Sequence, residues 1–382
     1  MKFIRIYIVL LLLLFFGLSG AHASENDRLV DLEKEIQLLK SQYRQLSQPK
    51  VGNEYSPPKL QIRGFGHGQF DYNDSKKGSE SYFGLGGVDL FITSQVADKL
   101  SFITELLFEF EEDGANVLDV ERLLIRYEPY DWLNISLGRG HTPLGYWNRN
   151  YHHGTHLQTT VERPILLEFE DDDGILPIHF VGLEFTGNIK APFGLLTYHA
   201  NVGNGRGKTI REIQLVEDAN NEKMVSFMVS LEPKGLEGFG FGGNFLFDVI
   251  PSDPAGTPAR PDEIKEVIFG SHIYYVDQKI EFLSEFQIVN HEILSEYYHN
   301  GGYAQFAYRF DDVIPYYRYD FLNVTQGDPY YAGLQGAEDI QQHTIGFRFD
   351  WFVYSALKLE YRHKNAESGV SNIISGQVSF AF

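Results

Sequence analysis

Acidic and basic residues stand at even spacing along several segments of the chain. Glu105 and Glu109 lie four positions apart on one segment, and Arg122 and Arg126 lie four apart on the next. Because alternate residues of a β-strand share a face, each segment would present its charges on one side. Opposed acids and bases across a water-filled passage set up a transverse field that screens ions and orients dipolar solutes. The alternative is that these charges pair along the wall and only stabilise it.

Further charges lie on later segments and in one long connection. Glu168 and Glu170, followed by three aspartates, form an acidic run. Such a run could narrow a pore and favour cations, bind a divalent cation through oxygen ligands, or bridge lipopolysaccharide; a solvated charge run is the remaining alternative. The candidates for pore lining or constriction are Glu105, Glu109, Arg122, Arg126, Glu168, Glu170, Asp171, Asp172, Asp173, Arg309, Arg318, Arg348, Lys358 and Arg362.

Other kinds of chemistry find little support. The chain has no Cys, which excludes a thiolate zinc site, an iron–sulfur cluster and a cysteine nucleophile. His152, His153 and His156 would suit a metal only on a helix, which is not predicted there. Residues 84–87 are Gly-rich but fall in a strand pattern, and no Gly-x-Ser-x-Gly turn precedes a helix. A net charge of −20 argues against nucleic-acid binding. We therefore expect no enzyme, no cofactor and no metal site.

The elements that would position the charges are strands. Residues 59–382 show almost no helical period; segments of about ten residues alternate apolar and polar side chains. At the end of the chain Phe380 and Phe382 share one face, while Ser379 and Ala381 share the other. A soluble sandwich pools its apolar faces in one core, whereas charges on one side of every strand and large apolar residues on the other indicate a barrel in lipid. The sequence predicts an all-β transmembrane fold, a closed antiparallel β-barrel of about 16 strands.

The connections between these segments alternate between short and long. The longest, 141–177, follows the fifth predicted strand. This alternation is typical of membrane barrels, which have tight periplasmic turns and longer outer loops. A barrel of about 16 strands leaves an aqueous lumen, and an even count places both chain ends in the periplasm.

The residues before the barrel predict three further segments. Residues 1–23 have a basic start, an apolar run and a small-x-small site, which indicates a signal peptide; an uncleaved anchor helix is the alternative. Residues 24–48 predict a short periplasmic coiled-coil helix, and the Pro-containing residues 49–58 a linker. A helix that packs on its own domain is the alternative to self-association, and dimers or trimers fit the heptads. The a and d positions are Leu29, Leu32, Ile36, Leu39, Tyr43 and Leu46.

Taken together, these features resemble a bacterial outer-membrane porin. The signal peptide, the strand count, the residues 378–382 and the long loop after the fifth strand carry the resemblance. The block 137–148 and the heptad helix are similar to the phosphate-selective porin O/P-like group with an N-terminal periplasmic coiled coil. The resemblance implies a homotrimer, a loop 141–177 folded into the pore, and recognition of the C-terminal strand ending in Phe382 by the barrel-insertion machinery. The acidic long loop departs from the basic loops of phosphate-selective members.

We therefore expect a porin in the outer membrane of a Gram-negative bacterium, in contact with lipid and lipopolysaccharide. Small hydrophilic solutes or ions would diffuse passively through its charge-lined pore. One alternative is a non-conducting structural or receptor barrel with a periplasmic partner, in which 141–177 plugs the lumen. Another is a transporter for hydrophobic compounds, which the charged inner faces oppose.

Overall fold

The computed structural model describes residues 59–382 except 77, 111–115, 152–153, 171–173, 214–215, 257–258, 333 and 335–336. The predicted signal peptide, coiled-coil helix and linker (1–58) lie outside the described residues, as do three aspartates of the acidic run. No helix among the described residues is long and apolar enough to cross a membrane.

The described chain forms a closed barrel of 16 antiparallel strands, as predicted. Each strand pairs with its neighbours in the chain, and the first pairs with the last. The strands are β1 (Lys59–Ser75), β2 (Gly78–Ala97), β3 (Leu100–Phe110), β4 (Asn116–Tyr130), β5 (Leu133–His141), β6 (His179–Ala191), β7 (Gly194–Asn204), β8 (Met224–Pro233), β9 (Phe239–Ile250), β10 (Ile264–Val276), β11 (Ile280–Glu292), β12 (Glu296–Tyr308), β13 (Val313–Asn323), β14 (Ile340–Phe352), β15 (Ser355–Ala366) and β16 (Gly369–Ala381).

β1 pairs with β16 and closes the barrel, so among the described strands none has a free edge that could pair with another chain. Gly64 and Phe382 exchange backbone hydrogen bonds of 2.9 and 3.0 Å. The Phe382 ring occupies the space above Gly64, where an added Cβ would lie 2.2 Å from the ring carbon Cζ. A side chain at position 64 would therefore displace the terminal aromatic residue.

The alternation of side chains places apolar groups on the outer surface. On β16, Val378 and Phe380 are each 42% exposed, whereas Gln377 and Ser379 are buried. The same alternation of exposed and buried positions follows β10 and β13. The barrel is therefore apolar outside and polar inside along most of its wall, as expected from the pattern.

The inner wall of β9–β11 differs from this expectation near the ends that join the long loops. Leu246, Ile264 and Ile268 face inward and are fully buried. They belong to a buried apolar cluster that also includes residues of the long connection after β5. Because this connection covers the wall, an apolar inner surface there does not contact water.

That connection runs from residue 142 to residue 178, close to the predicted range of 141–177. Its described residues include a short helix, α1 (Trp147–Asn150), and a 3-10 turn at Ile165–Leu167. We call residues 142–178 the inner loop.

Candidate functional site

The inner loop lies inside the barrel, because it contacts the polar, inward-facing side chains of β11, β13, β14, β15, β16 and β1. The first fixed point is the entry to α1. Glu285 on β11 accepts hydrogen bonds from the backbone N–H of Trp147 and from the Tyr303 hydroxyl, both at 2.7 Å. Gly145 has a φ of +78°, and a Cβ there would lie 1.6 Å from Glu285 Oε2. Only glycine combines this conformation with this close approach.

Two basic side chains of the wall hold the middle of the loop by its backbone. Arg348 Nη1 donates to the carbonyl oxygens of His156 and Gln158 at 2.6 and 2.9 Å. Lys358 Nζ donates to the carbonyl oxygen of Thr160 at 2.8 Å and also to that of Thr155. Buried cations that donate to several carbonyl oxygens are stabilised by charge-assisted hydrogen bonds.

A third basic side chain, Arg318 on β13, holds the next stretch. Its Nη1 and Nη2 donate to the carbonyl oxygens of Glu162 and Arg163, both at 2.9 Å. Its Nε donates to Asp320 at 2.8 Å, so the buried charge has a partner within the wall. Between these points, Glu360 accepts from the backbone N–H of Val161 at 2.9 Å.

The loop also packs through apolar side chains against the inner wall, which contributes free energy of burial beyond its hydrogen bonds. Trp147 and Leu144 are buried next to Tyr303 and Leu283 in one cluster. The other loop residues of this cluster are Leu166, Leu167, Ile175, Leu176 and Ile178. Hydrogen bonds and packing together fix the loop to one side of the lumen.

On the other side, the loop leaves a cavity of about 400 Å³ against β1–β4. We call it the lumen cavity. Its lining is strongly acidic, and Arg163 is the one Arg or Lys that the structure describes in it. The guanidinium carbon of Arg163 lies 3.5 Å from the centre of the Phe169 ring, so a cation–π contact orients this side chain. The acidic lining residues are Asp71, Asp89, Glu109, Asp119, Glu121, Glu162 and Glu168.

Glu162 shows how an acid of the loop keeps its charge. Its Oε1 accepts from Gln69 Nε2 at 2.9 Å and lies 3.6 Å from Arg362 Nη2. Burial alone would raise the pKa of Glu162, but the Arg362 guanidinium and the Gln69 hydrogen bond outweigh it and hold the pKa below its usual value. The carboxylate is therefore ionised at neutral pH.

The predicted site residues fall into separate groups. Glu109 and Glu168 line the lumen cavity. Glu170 instead accepts from the backbone N–H of Ile178 at 3.1 Å within the loop. The predicted Asp171, Asp172 and Asp173 lie outside the described residues.

The two predicted arginines of β4 lie next to acids of the wall. Arg122 donates to Glu105, and Arg126 lies 3.9 Å from Glu184. Arg309 lies in the short turn after β12, 2.7 Å from Asp350 and 39% exposed. The predicted Arg318, Arg348 and Lys358 hold the loop backbone, as described above, and Arg362 approaches both Glu162 and Glu360. The inward-facing side chains of Arg318, Arg348 and Lys358 therefore hold the inner loop.

Sequence reasoning missed five of the seven acids of the lining, and for two of them, Asp119 and Glu121, the reason is a β-bulge. Glu105 pairs with Arg122 and Leu106 pairs with Val120, so Glu121 is the extra residue in β4. The bulge changes which positions face inward. Before the bulge, Asp119 and Glu121 line the cavity; after it, even-numbered residues such as Leu124 and Arg126 take the inward-facing positions. Strict alternation cannot reveal such a change. The signal in the sequence was the position of the charges: Asp119 and Glu121 are two residues apart, whereas Arg122 and Arg126 fall on the alternate positions.

Comparison with known proteins relates the chain to others by fold alone. No known protein family and no curated protein matches it by sequence. Among solved structures, Salmonella typhi OmpF in complex with daunomycin matches with a TM-score of 0.60 at 12% identity, covering 85% of this chain and 98% of that one. The anion-selective porin from Comamonas acidovorans matches at 0.59 and 12%, covering 85% and 100%.

A third similar structure is in-vitro folded OmpT of Vibrio cholerae in its trimer form, with a TM-score of 0.55 and 9% identity, covering 85% of this chain and 99% of that one. Such identities carry a fold and not an activity. The chain therefore has the 16-strand barrel fold seen in these outer-membrane proteins.

Proposed function

We propose that this protein is an outer-membrane porin through which small hydrophilic solutes and ions diffuse passively. One observation carries the proposal: a lumen cavity of about 400 Å³ lies between a firmly held inner loop and the wall of β1–β4. In barrels of this size the lumen holds water, and a loop fixed to one side narrows it. No catalysis and no cofactor are part of this function.

The proposed selectivity is for cations. Seven acids and one arginine line the cavity among the described residues. Fixed charge of one sign in a narrow passage concentrates ions of the opposite sign. Residues 137–148, the heptads and the long loop after β5 support a place near the phosphate-selective porin O/P-like group, but the acidic lining supports cations in place of phosphate.

The proposed assembly is a homotrimer in the outer membrane, in contact with lipid and lipopolysaccharide. The heptads of 24–48 and the trimer form of OmpT of Vibrio cholerae support it. In this proposal residues 1–23 are removed as a signal peptide, the coiled coil extends into the periplasm through the linker 49–58, and the insertion machinery reads the strand that ends in Phe382.

The test is planar-bilayer conductance of the refolded mature chain in a salt gradient. We expect stable steps, in groups of three, and a reversal potential of the sign that cation preference requires. A silent bilayer, with folding confirmed by circular dichroism, would overturn the proposal. It would favour the second candidate, a non-conducting barrel, for which the extensive anchoring of the inner loop is the supporting observation.

A further inference from the structure

Three side chains from three neighbouring strands converge on the wall of the lumen cavity. They are Glu121 on β4, His141 at the end of β5 and His179 at the start of β6. His141 and His179 are direct partners in the pairing of β5 with β6. One ligand atom from each of the three side chains lies within 4.8 Å of the others, and all three residues are buried.

The fold builds this arrangement from two local features. The bulge in β4 places Glu121 beside the histidine pair, with its Oε2 2.5 Å from His179 Nε2. The inner loop begins just after His141 and ends just before His179, so the two histidines stand at the base of the loop. A carboxylate of β3, Glu105, lies 3.8 Å from His141 Nε2 and adds negative charge.

We propose that Glu121, His141 and His179 form a binding site for a divalent transition-metal cation of the zinc type. Two imidazoles and one carboxylate suit Zn²⁺, Co²⁺ and Ni²⁺, with water completing the coordination. Mg²⁺ and Ca²⁺ prefer oxygen ligands throughout and are not expected to compete. The role that we assign to this site is to hold a cation at the wall of the pore, and this role rests on the proposed function.

Access distinguishes this trio from the other histidine cluster. Glu121 and His179 line the lumen cavity, so a cation that enters it reaches the site directly. The acidic lining raises the local concentration of cations there. The other cluster, His291 on β11, His299 on β12 and Asp328 in the loop after β13, is not part of the cavity lining.

Binding of Zn²⁺ to the untagged, folded mature protein in detergent tests the proposal by isothermal titration calorimetry. We expect saturable binding at one site per chain that excess Mg²⁺ leaves unchanged. H179Q and E121Q should each weaken binding by about tenfold or more. The matched control is H343Q, since His343 lies on the outward-facing side of β14 and is exposed; its binding should equal that of the wild type.

A second measurement does not depend on the folding of any variant. Co²⁺ added to the wild-type protein should give visible absorption bands of a nitrogen- and oxygen-ligated ion, and Zn²⁺ should abolish them. Absence of saturable Zn²⁺ binding, or equal binding in folded H179Q, would overturn the site and mean that the trio is a hydrogen-bonded part of the wall.

The two proposals can fail independently. Zn²⁺ binding by a protein that gives no conductance would support the metal site and refute the porin. Conductance without Zn²⁺ binding would support the porin and refute the metal site.

Discussion

The guanidinium of Arg318 holds the backbone of Arg163, donating from Nη2 to its carbonyl oxygen at 2.9 Å. The two arginines have different surroundings. Arg318 is completely buried beneath the inner loop, whereas Arg163 lines the lumen cavity. The loop therefore covers a basic part of the wall, and the acids of β1–β4 dominate the space that remains. The charge of the proposed pore depends on the path of the loop as much as on the wall.

Replacing Arg318 with Lys should release part of the loop although the charge is kept. A lysine ammonium cannot reproduce the planar fork that reaches two carbonyl oxygens and Asp320. We expect a loss of about 1.5–3 kcal/mol in the free energy of unfolding, the range for hydrogen bonds to charged groups. Denaturant unfolding in detergent measures it. The control is R309K in the exposed turn, where the pair with Asp350 is worth about 0–1 kcal/mol. An equal loss in both variants would contradict the role of Arg318 in holding the inner loop.

The sequence predicted the features that depend on local interactions, and it did not predict those that depend on contacts between distant parts of the chain. Alternation is a local property, and it predicted 16 strands and the exposed face of Phe380. The inward apolar surface at Leu246 and Ile268 depends on a loop from elsewhere in the chain, so alternation alone could not account for it. The bulge at Glu121 depends on pairing with β3, and alternation alone does not predict it; the spacing of the charges in this segment was its local signal. The heptads before residue 59 stay a prediction.

Neutralising the acids of the lumen cavity should weaken cation preference. Glu109 and Glu168 both line the cavity, and a unit charge about 7 Å from an ion in water changes its energy by about 0.6 kcal/mol, roughly threefold in local concentration. For E109Q and E168Q combined, the reversal potential in a KCl gradient should move toward the anion value, most strongly at low salt. E292Q removes an exposed acid that pairs with Lys265 and should leave it unchanged. If all these proteins gave the same potential, the lining would not govern selectivity.

Gly145 should be intolerant of a side chain. In G145A the new methyl group would meet Glu285 Oε2 in a backbone conformation that L-residues rarely adopt. The cost of the conformation is about 1–3 kcal/mol, and displacement of Glu285 from the start of α1 adds to it. Gly235 has a similar φ of +84° with nothing near its missing Cβ, so G235A measures the conformational cost alone. We expect G145A to have the lower unfolding midpoint; equal midpoints would show that the Glu285 contact does not hold the loop.

The predicted coiled coil can be tested by deleting residues 26–48. The heptads would give each chain an apolar seam that is buried only on association. We expect the truncated trimer to dissociate at lower temperature on native gels, while the barrel itself keeps its strand content by circular dichroism. A deletion of the linker residues 50–56 serves as the control for shortening the chain. Unchanged trimer stability after deletion of 26–48 would exclude an oligomerising role.

Asp328 should make the packing of the loop between β13 and β14 sensitive to acid. Its Oδ2 lies 2.6 Å from His291 Nδ1 and 2.8 Å from His299 Nε2. Burial alone would raise the pKa of Asp328, but these two hydrogen bonds outweigh it and hold the pKa below its usual value. Two further charges act nearby: Glu266 contacts His291 on its other ring nitrogen, and Arg260 lies close enough to interact with Asp328.

Because the folded pKa lies below the unfolded value of about 3.9, the carboxylate stabilises the fold above that pH and loses its contribution as pH falls through the folded value. D328N should therefore be less stable than the wild type at pH 7 by about 1.5–3 kcal/mol. The difference should shrink below about pH 4. Unfolding of the two proteins across this pH range provides the measurement, with D98N in an exposed turn as the control. A difference that stays constant with pH would mean that the Asp328 side chain acts through its shape and not through its charge.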